Sequence, residues 1–172
     1  NYNTIPHIVT RLDKNTTGLV LIAKHRHIHA LFSKEEIGKF YLALVSGKVE
    51  DGVIEANIKR TDDSIIARCV ASDGDYAKTQ VWCEKYNSEK NISLVKLKLF
   101  TGRTHQIRVH MSFRGNPLLG DELYGGNKKI IDRHALHCYN LKFIHPITKK
   151  HIDVIAQFPK DMNKIIENLV EE

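Results

Sequence analysis

Two short stretches of this sequence hold residue types that could do chemistry. Arg11-Leu12-Asp13 runs into Thr16-Thr17-Gly18 and places one carboxylate in a Thr/Gly-rich turn, just before the apolar run Leu19–Ala23. A carboxylate is already ionised at neutral pH, so it can act as a nucleophile without an adjacent base, unlike a serine or threonine hydroxyl. Burial would raise its pKa, whereas a nearby guanidinium favours the charged form. Arg103 and Arg108, in Thr101-Gly102-Arg103-Thr104-His105-Gln106-Ile107-Arg108, are both candidates for that partner, and a bidentate fork would also fix the carboxylate's orientation. The competing structural reading is that Asp13 only caps the turn at Asn15–Gly18.

Other residues add weight. Tyr41 lies in an apolar, strand-like run, where its flat ring could stack on a base and its hydroxyl could reach a sugar; a plain core tyrosine is the alternative. The segment Gly102–His110 concentrates Arg103, His105, Gln106, Arg108 and His110 around an expected helix start, a natural place for phosphate. The ten histidines match neither HExxH nor a zinc-finger spacing, so no metal is expected. Gly120–Gly126 is glycine-rich but lacks the order of a nucleotide-binding loop.

The elements that must position these residues can be read from hydrophobic period and turn chemistry. Leu19–Ala23 reads as a short buried strand, and Ile28, Leu31 and Phe32 fall at helical spacing before Gly38. Phe40–Val45 is β-rich and stops at Ser46-Gly47. Residues 54–86 alternate between two turn clusters, Thr61–Ser64 and Ser72–Asp75, as antiparallel hairpins do. Ser93–Phe100 alternates cleanly, a helix is expected over 104–113, and strands are expected over 136–144 and 151–156. A final amphipathic helix has Pro159 at its first turn and Met162, Ile165, Ile166 and Leu169 on one side. Strands outnumber helices, so the expected class is α+β, a largely antiparallel (mixed) central sheet flanked by helices.

With 172 residues, 42% of them hydrophobic, the chain suits one domain with a real core and is not disordered. A net charge of +6 and a pI near 9.2 favour polyanionic partners. Basic clusters at 24–26, 59–60, 128–129 and 149–150 fit a surface that meets a phosphate backbone. No apolar run approaches the roughly 20 residues that span a bilayer, so no membrane partner is expected. The odd set Cys69, Cys83 and Cys138 reads as reduced thiols in a cytoplasmic protein.

In order along the chain, these segments resemble the RluA-like family of pseudouridine synthases. Arg11-Leu12-Asp13 with Thr16-Thr17-Gly18 is similar to that family's R-L-D-x-x-T-S-G loop, with Thr17 where serine is usual. Lys39–Gly47 is similar to its K-x-Y-x-A-x-V-x-G strand. Gly102–His110 matches G-R-T-H-Q-I-R-x-H, and Pro117–Gly125 is similar to P-x-x-G-D-x-x-Y-G. The resemblance implies a pseudouridine synthase-like fold over 1–172, an RNA substrate (ribosomal rather than transfer RNA) and no metal or organic cofactor. It makes Asp13 the essential aspartate that enables N-glycosidic cleavage, Tyr41 the ring stacked on the target base, and Arg103 the partner of Asp13. Arg11 would fill the space left by the flipped nucleotide, and Thr17, His105, Gln106 and Arg108 would face RNA. Family members normally carry further strands, an N-K-P-x-G segment and often an S4-type domain ahead of the catalytic loop, so this catalytic domain is expected to lack an N-terminal part. No obligate protein partner is evident. The alternative is an RNA-binding module without activity, which would have no use for a buried carboxylate and its counter-ion.

Overall fold

The structure, a computed structural model, describes residues 5–170. Its centre is a seven-stranded sheet in the order β11 (His151–Ile155), β10 (Leu136–Ile144), β4 (Gly38–Ser46), β9 (Ile92–Leu99), β8 (Lys78–Asn87), β5 (Gly52–Glu55). The seventh strand, β2 (Thr17–Gly18), lies parallel on β10, and every other pairing in this sheet is antiparallel. Two small two-stranded sheets stand beside it: β1 (His7–Ile8) with β3 (Ile22–Ala23), and β6 (Ile58–Arg60) with β7 (Arg68–Val70). This is the expected α+β class.

The strands form where the side chains can be buried on a pleat. In β4, Tyr41, Ala43 and Val45 point to one face and meet Val95 and Leu97 of β9 together with Ile107 and Met111 of α2 (Gln106–Phe113). Leu44 points to the other face and packs with Ile92, Met162 and Leu169, the last two from α3 (Lys160–Val170). A central strand covered on both faces reads as continuous apolar sequence, as Phe40–Val45 does. The remaining helix, α1 (Arg26–Phe32), buries only Phe32.

Two expectations are corrected. Leu19–Ala23 is not a buried strand: Leu19 N donates to the Cys138 carbonyl, after which the chain leaves β10 and pairs with β1. Val20 and Ile22 are consequently 42% and 50% exposed. The helix expected from Thr104 begins at Gln106 because His105 takes a left-handed conformation, φ 57°. Within 54–86, the Thr61–Ser64 cluster does close the β6–β7 hairpin, whereas Ser72–Asp75 returns the chain to Ile58 through an isolated bridge.

Candidate active site

A cavity of about 320 Å3 opens between the β1–β2 loop, strand β4 and the start of α2. Its walls bring Arg11, Asp13, Lys39, Tyr41 and Arg103 together, although Asp13 and Arg103 are ninety residues apart in sequence. The size falls in the usual range for small-molecule sites, roughly 300–1,000 Å3.

Asp13 sits in a turn closed by Thr16 N donating to the Asp13 carbonyl at 3.0 Å, with Asn15 left-handed at φ 73°. Both ends of the loop are tied: the buried Thr10 hydroxyl accepts from Leu21 N at 2.9 Å, and Thr16 and Thr17 bond to His134 and His137. Among the described residues, the Asp13 carboxylate itself makes no hydrogen bond and no ion pair. It therefore does not cap its own turn through the side chain. A carboxylate without donors keeps its lone pairs for another partner, since hydrogen bonds stabilise the ionised oxygen and blunt it.

Tyr41 is buried in the middle of β4, between Leu97 of β9 and Cys138 of β10. Burial pushes its pKa well above the ordinary value, reinforced by the Cys138 thiol beside the hydroxyl and by the Asp13 charge. The phenol is thus protonated at neutral pH and offers a ring face and a weak donor, not a phenolate base. Burial likewise raises the Cys138 thiol to about 11, so it is no nucleophile.

The arginines differ from expectation. Arg103 Nε donates to the Tyr76 carbonyl at 3.0 Å, and its Nη1 lies 3.8 Å from the Asp75 carboxylate. No ion pair joins it to Asp13 among the described residues; Asp75 and Tyr76, on the segment leading into β8, are the nearer partners. Arg103 lines the same cavity as Asp13 nonetheless, and Arg11 stands exposed at its mouth. Arg108 is 7% exposed and grips Asp121 with two bonds of 2.7 Å, its guanidinium 4.8 Å from the Tyr124 ring. Expected to face RNA, it is instead buried behind the site, where its charge acts on Asp13 and His105 through space.

Gln106 is corrected too. At 2% exposure its Oε1 accepts from the Thr101 hydroxyl and Arg103 N, while Nε2 donates to the Lys78 carbonyl and the Thr79 hydroxyl. All four bonding positions are used internally, so the residue shapes the Thr101–Gln106 loop and has nothing left for RNA. His105 Nδ1 lies 2.7 Å from the Tyr124 hydroxyl, and burial and then Arg108 lower its pKa, which keeps it neutral. Thr17 faces His137, not the cavity.

Four participants were missed by sequence reasoning. Lys39 lines the cavity, its pKa lowered by burial, and the K-x-Y spacing was its signal. Asp121, inside the glycine-rich segment set aside as non-nucleotide, is the buried partner of Arg108. His134 and His137 looked scattered because a contact spanning 118 or 120 residues leaves no local pattern. A second cavity of about 350 Å3 adjoins the first across Gly102–Thr104 and is lined by Lys59, Arg60, Arg68 and Arg103.

Comparison with known proteins shows the family. Residues 1–113 match the model of a family described as RNA pseudouridylate synthase. The chain is 45% identical to the Bacillus subtilis protein named uncharacterized RNA pseudouridine synthase YjbO, over 94% of this chain and 58% of that one. It is 37% identical to ribosomal large subunit pseudouridine synthase D of Zymomonas mobilis, over 96% and 56% respectively. It thus spans little more than half the length of these curated relatives. The fold superposes on human RNA pseudouridylate synthase domain containing 1 with a TM-score of 0.76, at 24% identity, covering 97% of this chain and 81% of that one. No helix among the described residues is long and apolar enough to cross a membrane. With that family model matching about two thirds of its length and relatives of this identity, the chain belongs to the RNA pseudouridylate synthase family.

Proposed function

We propose that the protein isomerises uridines in structured RNA to pseudouridine, with Asp13 as the essential carboxylate. The observation that carries this reading is the Asp13 side chain, without a hydrogen bond or ion pair among the described residues, on the wall of a cavity it shares with the Tyr41 ring and three cations. A uridine flipped from its stack would place its base against Tyr41 and its sugar toward Asp13. The N1–C1′ bond breaks, uracil turns, C5 bonds to C1′, the C5 proton leaves and N1 gains one, so atoms balance without a cofactor.

Arg11, at the mouth, is placed to occupy the space the nucleotide vacates. Arg103 stands between the two cavities, and the neighbouring lysine and arginines supply charge for the flanking phosphates. Because the tyrosine stays protonated, its role is stacking and orientation. Ribosomal RNA is the favoured substrate, since relatives at 37% identity carry that name, and a cytoplasmic location follows from that substrate.

The test is tritium release from [5-³H]uridine-labelled RNA by the full-length protein. Asp13→Asn should lower the rate by a thousandfold or more, roughly the scale of losing a covalent catalyst, with RNA affinity kept within about threefold. Turnover near wild type in that variant would end the assignment. Undetectable release by the wild-type protein, with RNA bound tightly, would favour a binding module instead.

A further inference from the structure

The residues that follow Asn15 are each fastened to one short stretch of a distant strand. Thr16 Oγ1 lies 2.7 Å from His134 Nε2, and Thr17 Oγ1 lies 2.8 Å from His137 Nδ1. Gly18, at φ +116°, approaches β10 so closely that a Cβ there would stand 2.2 Å from the Cys138 carbonyl oxygen. Leu19 N then donates to that same carbonyl at 2.9 Å.

Arg133 extends the attachment. Its Nη1 donates to the carbonyls of Asn15 at 3.2 Å and His134 at 3.1 Å, while Nε and Nη2 hold Asp161 of α3 at 2.7 and 2.9 Å. Both histidines are buried.

These contacts determine where Asp13 stands. The Asp13 carbonyl accepts from Thr16 N, so fixing Thr16 fixes the peptide that carries the carboxylate. Among the described residues the carboxylate has no hydrogen bond or ion pair to hold it, and β2 is only two residues long. Orientation must come from the residues that follow. A misplacement of about 1 Å can cost on the order of a hundredfold in rate, so such an attachment has kinetic weight out of proportion to its few bonds.

We propose that Arg133, His134 and His137 are positioning residues, a clamp at the start of β10 and the turn before it that holds the Asp13 loop at the depth the reaction requires. The proposal rests on the reading of Asp13 as the essential carboxylate. It assigns the histidines a role through the loop, with no contact to substrate.

The experiment compares Thr17→Val, Thr17→Ser, His137→Phe and the double variant Thr17→Val/His137→Phe in the full-length protein. Single-turnover tritium release from [5-³H]uridine-labelled total RNA of cells lacking the gene gives the rate, and filter binding of the same RNA gives affinity. Each variant is first checked by circular dichroism and urea unfolding. Thr17→Val should slow the saturated rate about ten- to hundredfold with affinity kept within about twofold, while Thr17→Ser restores the rate. The double variant should be no slower than the worse single one, because both cut the same link. A Thr17→Val rate equal to wild type overturns the clamp, as does an equal loss of affinity and rate, which would make Thr17 an RNA contact. Should Thr17→Val not fold, His137→Phe carries the same comparison, since the ring keeps its bulk and loses the Nδ1 that meets the Thr17 hydroxyl. Asp13→Asn is run in parallel. If it is inactive while Thr17→Val is fully active, the clamp alone falls; if it is active, the reading of the site falls and the clamp with it.

Discussion

The two walls of the cavity are held by different means. The wall carrying Tyr41 belongs to β4, which is laddered to β9 over eight residues and to β10 over six, and packs against α2. Losing any one of those backbone bonds leaves its neighbours in place. The wall carrying Asp13 is a turn on a two-residue strand, fixed by a few side-chain atoms from β10 and the turn before it and by one glycine contact. Redundant bonds make the first wall tolerant and thermodynamically expensive to disrupt. The second rests on few bonds, so removing one hydroxyl should shift it with little change in overall stability. Stability and activity should therefore separate along this line.

The largest effect on stability is expected behind the β4 wall. Asp121→Asn leaves Arg108 buried without its counter-charge, and breaking such a pair costs about 3–5 kcal/mol. Urea unfolding should show the midpoint falling with an unchanged slope. A shift of less than about 1 kcal/mol would mean that water reaches Arg108 and that this wall is looser than its packing implies.

Gly18→Ala tests the other wall. The residue's left-handed φ and the 2.2 Å approach to Cys138 together forbid a methyl group, so β2 must lift from β10. Strain of this kind costs about 1–3 kcal/mol. Gly115 has a positive φ as well, +81°, but nothing within 4 Å, so Gly115→Ala is a control for φ alone. Isomerisation by Gly18→Ala should drop at least about tenfold beyond what its stability loss explains, and Gly115→Ala should not. Equal losses in the two variants would erase the distinction between the walls.

The same difference decides what could be read from sequence. The β4 wall was legible: a continuous apolar strand, an alternating partner and a helix ending at a glycine are local patterns, and each forms close to where it was expected. The place of Asp13 was legible as well, because a carboxylate in a Thr/Gly turn is a local pattern, while its role came only as what the resemblance implied. What holds Asp13 was not. His134 and His137 act across more than a hundred residues, and Thr17 and Gly18 gain meaning only when β2 is seen lying on β10. Arg103 and Arg108 were readable as cations near the site, but which of them is buried depends on Asp121, supplied by a segment whose glycines suggested only a turn. Gln106 was misread for a related reason: polar residues at a helix start look like ligand contacts until the loop they stitch together is seen.

A pH dependence again divides the walls. Burial, followed by the nearby Arg108, lowers the pKa of His134 to about 4, and burial likewise lowers His137 on the loop side and His110 behind β4. These rings are neutral when folded and regain an ordinary pKa near 6.5 when unfolded. Between pH 6.5 and 4 the unfolded chain therefore binds protons that the folded one refuses, so stability falls as the solution is acidified and is flat above about pH 7. Each such proton contributes a slope of about 1.4 kcal/mol per pH unit within its window. Carboxylates with depressed values, Asp161 among them, add their loss only below about pH 4, so the two contributions separate. His134→Gln keeps a nitrogen near Nε2 for Thr16 and removes one titrating ring, and urea midpoints measured from pH 7.5 to 4.5 should lose about one proton of slope. An unchanged slope would show that His134 is protonated in the folded protein. The Thr16 hydroxyl would then accept from an imidazolium, and the loop wall would be held by a charged bond instead of a neutral one.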